Sequence, residues 1–200
     1  MTRQRIISLL ISSILISAVF LTGCGTNTAS PTDPGYVKAT AIKLGISFSF
    51  EYPISYEKQT LDAFEDTGGD PSVSLLYRQP GSTNVKADKQ IYVRACEPIV
   101  NRPDAAAWTE VHINLLEEND PVFELIERST IQVAGIDGNM VAYHSSVMGN
   151  LLSTVYTVCR EAYIDYKGYI WKITVIAIEE LGDQTEPDFQ HLIQSFEFLD

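Results

Sequence analysis

Three histidines, three cysteines and two runs of carboxylates are the residues of this 200-residue chain with chemistry to offer. The histidines, His112, His144 and His191, are scattered. A histidine acting as general base needs a Ser or Cys beside it and a third group to hold it. Ser145 and Ser146 follow His144, but adjacent side chains on a strand face opposite ways. The carboxylates gather as Asp62, Glu65, Asp66 and Asp70, and as Glu179, Glu180, Asp183, Glu186 and Asp188. Calcium needs several oxygens from one compact loop, and neither run has EF-hand spacing. Solvated acidic loops are the simpler reading. G-x-S-x-G, H-E-x-x-H, C-x-x-C, Walker and G-x-G-x-x-G patterns are all absent from the sequence. The sequence therefore predicts a non-enzymatic protein with no catalytic residue, no metal and no cofactor.

The first cysteine has a different kind of chemistry. Arg3 and Arg5 precede an apolar stretch over residues 6–20, broken only by serines, which leads into Leu21-Thr22-Gly23-Cys24. This resembles the signal peptide and lipobox of bacterial lipoproteins. The apolar run falls short of the roughly 20 residues a spanning helix needs. The resemblance implies a diacylglyceryl thioether on Cys24, cleavage between Gly23 and Cys24, and further acylation, for example by palmitate. Two or more chains anchor stably where one does not. The alternatives are a plain secretory signal with an incidental cysteine, or an uncleaved membrane helix. The expected location is extracytoplasmic, lipid-anchored at the cell membrane or outer membrane.

Cys96 and Cys159 remain. Outside the cytoplasm such a pair can form a disulfide. Closing so long a loop would stabilise by about 4 kcal/mol in the chain-entropy model. The other reading is two free, buried cysteines acting as small hydrophobes.

Composition bounds the partners. Fourteen Lys and Arg against 26 Asp and Glu give a net charge of −12. Removing residues 1–23 takes away two arginines and no acid, leaving −14. Such a chain repels nucleic acid and anionic lipid, so no nucleic-acid partner is expected. An apolar fraction of 45% fits a folded domain. Residues 24–37 hold the lipidated cysteine followed by small polar residues and two prolines. They read as a flexible tether, with one globular domain over residues 38–200.

The elements follow from periodicity. Residues 46–52 alternate, with Ile46, Phe48, Phe50 and Tyr52 on one face, and Pro53 ends the strand. Residues 73–77 and 90–96 read as strands, with a loop at 67–71 and a turn at 79–82. Pro103 and Asp104 open a helix whose inward stripe is Trp108, Val111 and Leu115, flanked by His112 and Leu116. Residues 122–134 suit both a helical turn and a strand. Residues 135–138 read as a turn before a strand at 140–147. Residues 151–164 and 169–178 are long β-rich runs, joined as a hairpin by Asp165-Tyr166-Lys167-Gly168. Both faces of that pair are apolar and need covering. A helix over 186–194 turns Phe189, Leu192 and Ile193 inward, and residues 195–198 close the chain as a strand.

Three features carry a resemblance: the aromatic-proline step Phe50-Glu51-Tyr52-Pro53, the strand into a glycine turn at Ile131-Gln-Val-Ala-Gly135, and the last helix leading into Ser195-Phe196-Glu197-Phe198. With a central helix and a long hairpin between them, the order resembles the PsbP/Mog1-like α-β-α sandwich across residues 45–200. That resemblance implies an α+β fold, an antiparallel sheet covered by helices. It also implies a binding or assembly factor with an envelope protein as partner. The alternative is capture of a small apolar ligand in a pocket between sheet and helix. Tyr166 and Tyr169 flank the hairpin tip and are the best candidates for exposed contact residues.

Overall fold

The computed structural model describes residues 35–58, 73–82, 87–148 and 154–199. Residues 1–23, Cys24, most of the tether and the acidic run from Asp62 to Asp70 lie outside the described residues. The strands are β1 (Tyr36–Lys43), β2 (Ile46–Pro53), β3 (Glu57–Lys58), β4 (Val73–Tyr77) and β5 (Lys89–Cys96). Helix α1 (Ala105–Asn119) precedes β6 (Glu124–Val133), β7 (Ile136–Met148), β8 (Thr154–Tyr166) and β9 (Tyr169–Ile178). A 3-10 turn (Glu179–Gln184), helix α2 (Thr185–Ser195) and β10 (Glu197–Phe198) complete the chain.

Seven strands form one antiparallel sheet in the order β3-β4-β5-β9-β8-β7-β6, and β1, β2 and β10 form a smaller one. The tight hairpins need positive φ at both central residues. Leu44-Gly45, Ala134-Gly135 and Lys167-Gly168 all supply it, which matches the twist of the flanking strands.

Strand alternation divides the large sheet into two unlike faces. Ile91, Val93, Ala162, Ile164, Trp171, Ile173 and Val175 point to one side and are all fully buried. There α2 brings Phe189 and Leu192, and β2 brings Phe48 and Phe50, into one cluster with them. Each such large side chain contributes about 1.5–3 kcal/mol by leaving water. Val141, Tyr143, Cys159, Tyr163 and Ile170 point to the other side, against α1. The architecture is thus an antiparallel α+β sandwich in which a small sheet shares one covering layer with α2.

Several expectations shift. Strand β1 starts at Tyr36, so residues 36 and 37 of the expected tether belong to the domain. Residues 122–134 resolve as β6, an edge strand exposed along most of its length, with a bulge between Leu125 and Glu127. The glycine turn is Ala134-Gly135, and Gly138 lies within β7. A Cβ at Gly138 would sit 2.3 Å from the Tyr163 carbonyl oxygen, so close approach of β8 explains that glycine. On α1 the buried residues are Ala105, Thr109 and Ile113. Trp108 is half-buried and Leu115 is exposed, so the helix is rotated relative to the expected stripe. Small residues take the closest approach to the sheet.

Cys96 and Cys159 are both free. Cys96 on β5 faces Ile170 of β9, whereas Cys159 on β8 faces Ile176 of the same strand. One strand therefore separates the cysteines laterally, and the offset along it is about 20 Å at ~3.3 Å per residue. A disulfide needs Cα atoms within about 7 Å, so this pairing is excluded.

Candidate functional site

The face under α1 carries charge at its centre, whereas the other face is apolar apart from Lys89 and Arg160. On β8, Glu161 lies between Cys159 and Tyr163 in the alternation and points with them toward α1. Only 3% of it is exposed. Lys172 Nζ lies 2.7 Å from Oε1, and Tyr163 Oη donates to Oε2 at 2.6 Å. His112 Nε2, from α1, lies 3.1 Å from Oε2 and 3.1 Å from Tyr143 Oη.

Burial pushes the Glu161 carboxyl up, but the Lys172 charge and the His112 hydrogen bond outweigh it, holding the carboxyl well below the usual carboxylate range. Burial first, then the Glu161 charge, raises Tyr143 and Tyr163 far above an ordinary phenol. The same two causes push the Cys159 thiol up to about 12. The cluster is therefore a saturated ion-pair network, with an ionised carboxylate and an inert thiol. It offers neither a free base nor a nucleophile.

A cavity of about 230 Å³ opens beside this network. Its walls include Arg94 and Cys96 of β5, Ile170 and Lys172 of β9, and Trp108 and His112 of α1. Helix α1 is fixed there at its N-terminus. Asp104 caps it by accepting from Ala107 N–H at 2.8 Å, and Asp165 from the hairpin accepts from Ala105 N–H at 3.0 Å. Arg102 lays its guanidinium over the Trp108 ring, 4.5 Å from its centre. The Trp108 indole N–H and Arg102 Nε are both buried without a hydrogen-bond partner. Burial raises the Cys96 thiol, while Lys172, Arg102 and Arg94 pull it the other way. Two cations, Arg94 and Lys172, thus line the cavity beside Cys96.

The singled-out residues are otherwise occupied. Ser145 Oγ donates to Asp120 at 2.6 Å and Ser146 Oγ at 2.9 Å, leaving His144 no serine nucleophile at hand. His191 Nε2 lies 3.0 Å from Glu51 Oε2, with its ring stacked on Tyr36. Glu179, Glu180 and Asp183 lie on the unburied 3-10 turn, as expected of a solvated run. Asp188 differs, being buried and bonded to Lys89 Nζ at 2.8 Å and Tyr56 Oη at 3.0 Å. Glu186 pairs with Arg160 at 2.6 Å. Among the described residues no three His, Cys, Asp or Glu side chains come together to hold a metal. Tyr166 and Tyr169 are half-buried and packed against the main core, Tyr166 stacked 3.7 Å from Phe198, so the expected free exposure does not hold.

Glu161, Lys172, Arg94 and Arg102 were not anticipated. The readable signal was a glutamate at an inward position between Cys159 and Tyr163.

No protein-family profile matches the chain, and no curated protein matches its sequence. Solved structures do resemble it. LpqN of Mycobacterium tuberculosis, described as involved in cell envelope biogenesis, superposes with a TM-score of 0.53 at 10% identity, over 82% of this chain and 91% of LpqN. Cyanobacterial PsbP from Synechocystis sp. PCC 6803 gives 0.52 at 13% identity, over 88% and 98%. The Ran-binding protein Mog1p of Saccharomyces cerevisiae gives 0.52 at 16% identity, over 82% and 96%. The fold is therefore PsbP/Mog1-like. Among the described residues no helix is long and apolar enough to cross a membrane.

Proposed function

We propose that this chain is a non-enzymatic binding protein of the cell envelope, anchored by lipid on Cys24, whose domain docks an envelope protein partner. One observation carries the docking reading. Ile42, Ser47 and Leu199 form a row across the outer face of the small sheet, because Ile42 pairs with Ser47 and Leu199 N–H bonds to Ser47 O. Ile42 is 69% exposed and Leu199 48%, with Leu44 also exposed at the adjoining hairpin turn. Apolar groups grouped at a sheet end on so acidic a protein suit a docking contact. The involvement of LpqN in cell envelope biogenesis and the Ran binding of Mog1p agree with a binding module in the envelope. The saturated network around Glu161 supports the same view.

Site-specific photo-crosslinking in intact membranes tests this. A crosslinker at position 42 and one at 199 should give the same discrete protein adduct, and one at Glu117 on α1 should not. No adduct from 42 or 199, or an equal one from 117, refutes it.

The cavity favours a second reading, capture of a small molecule between sheet and helix. Its lining is not the purely apolar one expected, since Arg94 and Lys172 contribute to it.

A further inference from the structure

We infer that the cavity between α1 and strands β5 and β9 is a binding site for a small organic carboxylate, an inference that rests on the second reading above. Charge is the first ground. Acids outnumber bases 26 to 14 in this chain, so an arginine has many carboxylates to choose from. Yet Arg94, which lines the cavity, makes no ion pair with any described residue. Glu161, held behind the lining residues Lys172, Tyr163 and His112, is already saturated by them. An anion entering from outside meets the Arg94 guanidinium, which no described carboxylate neutralises.

Ligand geometry is the second ground. A carboxylate matches the planar fork of an arginine, and Arg94 lines the cavity.

Shape and lining give the rest of the ligand. Ile170 and the ring of Trp108 offer apolar surface for a hydrocarbon body. About 230 Å³ is smaller than the roughly 300–1,000 Å³ of pockets for drug-sized molecules, which sets the size at about one ring or a short chain. The carboxylate lies toward Arg94 and the apolar body lies against Trp108 and Ile170.

Sodium benzoate, benzamide and sodium sulfate are titrated into the full chain in detergent, read by calorimetry and by Trp108 fluorescence. Trp171, the other tryptophan, is fully buried in the main core and gives a constant background. Benzoate should bind saturably and shift Trp108 emission. Neutral benzamide and sulfate should each bind at least about tenfold more weakly, reflecting one lost charge-assisted contact or the lost apolar body. Arg94 is exposed, so Arg94→Gln keeps the fold and should weaken benzoate about tenfold, while Arg94→Lys recovers most of the loss. Benzamide binding as tightly as benzoate overturns the anion assignment and leaves a ligand site. Sulfate binding as tightly as benzoate overturns the organic class. No saturable signal from any of the three overturns the carboxylate site and the ligand reading together. None of these outcomes bears on docking at Ile42 and Leu199.

Discussion

Replacing Lys172 with methionine isolates the electrostatic design of the α1 face. Methionine keeps the length and apolar stem but removes the charge 2.7 Å from Glu161. Removing one partner of a buried ion pair costs about 3–5 kcal/mol, because the remaining charge stays buried. Here Tyr163 and His112 still donate to Glu161, and the Lys172 side chain is 22% exposed. Both facts set the expected loss at the lower end, about 3 kcal/mol at pH 7. The pH dependence distinguishes this from simple repacking. In the parent chain the folded state holds the Glu161 carboxyl below its ordinary value, so its stabilisation is full above about pH 4.3, the unfolded value, and fades as pH falls through the folded one. Without Lys172, burial becomes the dominant influence and drives the folded carboxyl above the unfolded value. The variant therefore takes up a proton on folding in mildly acidic solution, and its deficit shrinks as pH falls from 7 to 4.5. Urea unfolding followed by the emission of fully buried Trp171 measures both quantities. A loss below about 1 kcal/mol at pH 7, the range of an exposed pair, would contradict the argument. So would a deficit of the same size at both pH values.

Other expectations follow from single contacts. Gly138→Ala should destabilise by about 3 kcal/mol in thermal unfolding, since the Tyr163 carbonyl oxygen that a Cβ would meet is backbone and cannot swing away. A loss within about 0.5 kcal/mol, the size of an ordinary surface change, would mean β7 and β8 part easily. Cys24→Ser should abolish incorporation of an alkyne-bearing palmitate analogue and release the chain from the membrane fraction. Retained label would move the anchor elsewhere. Thiol titration of the denatured, unreduced protein should find Cys96 and Cys159 both free. In the native protein Cys159 should stay unreactive, because burial raises its thiol to about 12.

The sequence was legible where one face of an element is buried and the other wet. Strands β2 and β5 and helix α2 show clean periods, and Ile46, Phe48, Phe50, Phe189, Leu192 and Ile193 are buried as the pattern names, while Tyr52 is only half-buried and Ser49, Thr185 and Asp188 are buried without an apolar signal. Strand β6 has no such contrast. It is an edge strand with most side chains in water, so neither period 2 nor 3.6 stands out. In α1 the expected stripe chose the largest apolar residues. The helix instead seats Ala105, Thr109 and Ile113 on the sheet and holds Trp108 at the rim. Size misleads here because the closest approach favours small side chains.

The same geometry explains why the site was hidden. Glu161 and Lys172 are not opposite each other in the β8–β9 hairpin. Glu161 pairs with Thr174, and Lys172 with Tyr163, so the ion pair is diagonal. Arg94 joins them because β5 lies beside β9, a neighbour set only after α1 and three intervening strands return the chain. The main-core face, with its cluster from Phe48 to Trp171, carries most of the buried apolar side chains. It holds a buried ion pair of its own, Lys89 with Asp188, and a buried pair rarely improves on hydrocarbon in stability. Buried charge alone therefore does not single out the α1 face. What singles it out is that Arg94, exposed and without an ion pair among the described residues, shares a cavity with Lys172 and Trp108, and that cavity is where recognition has room to occur.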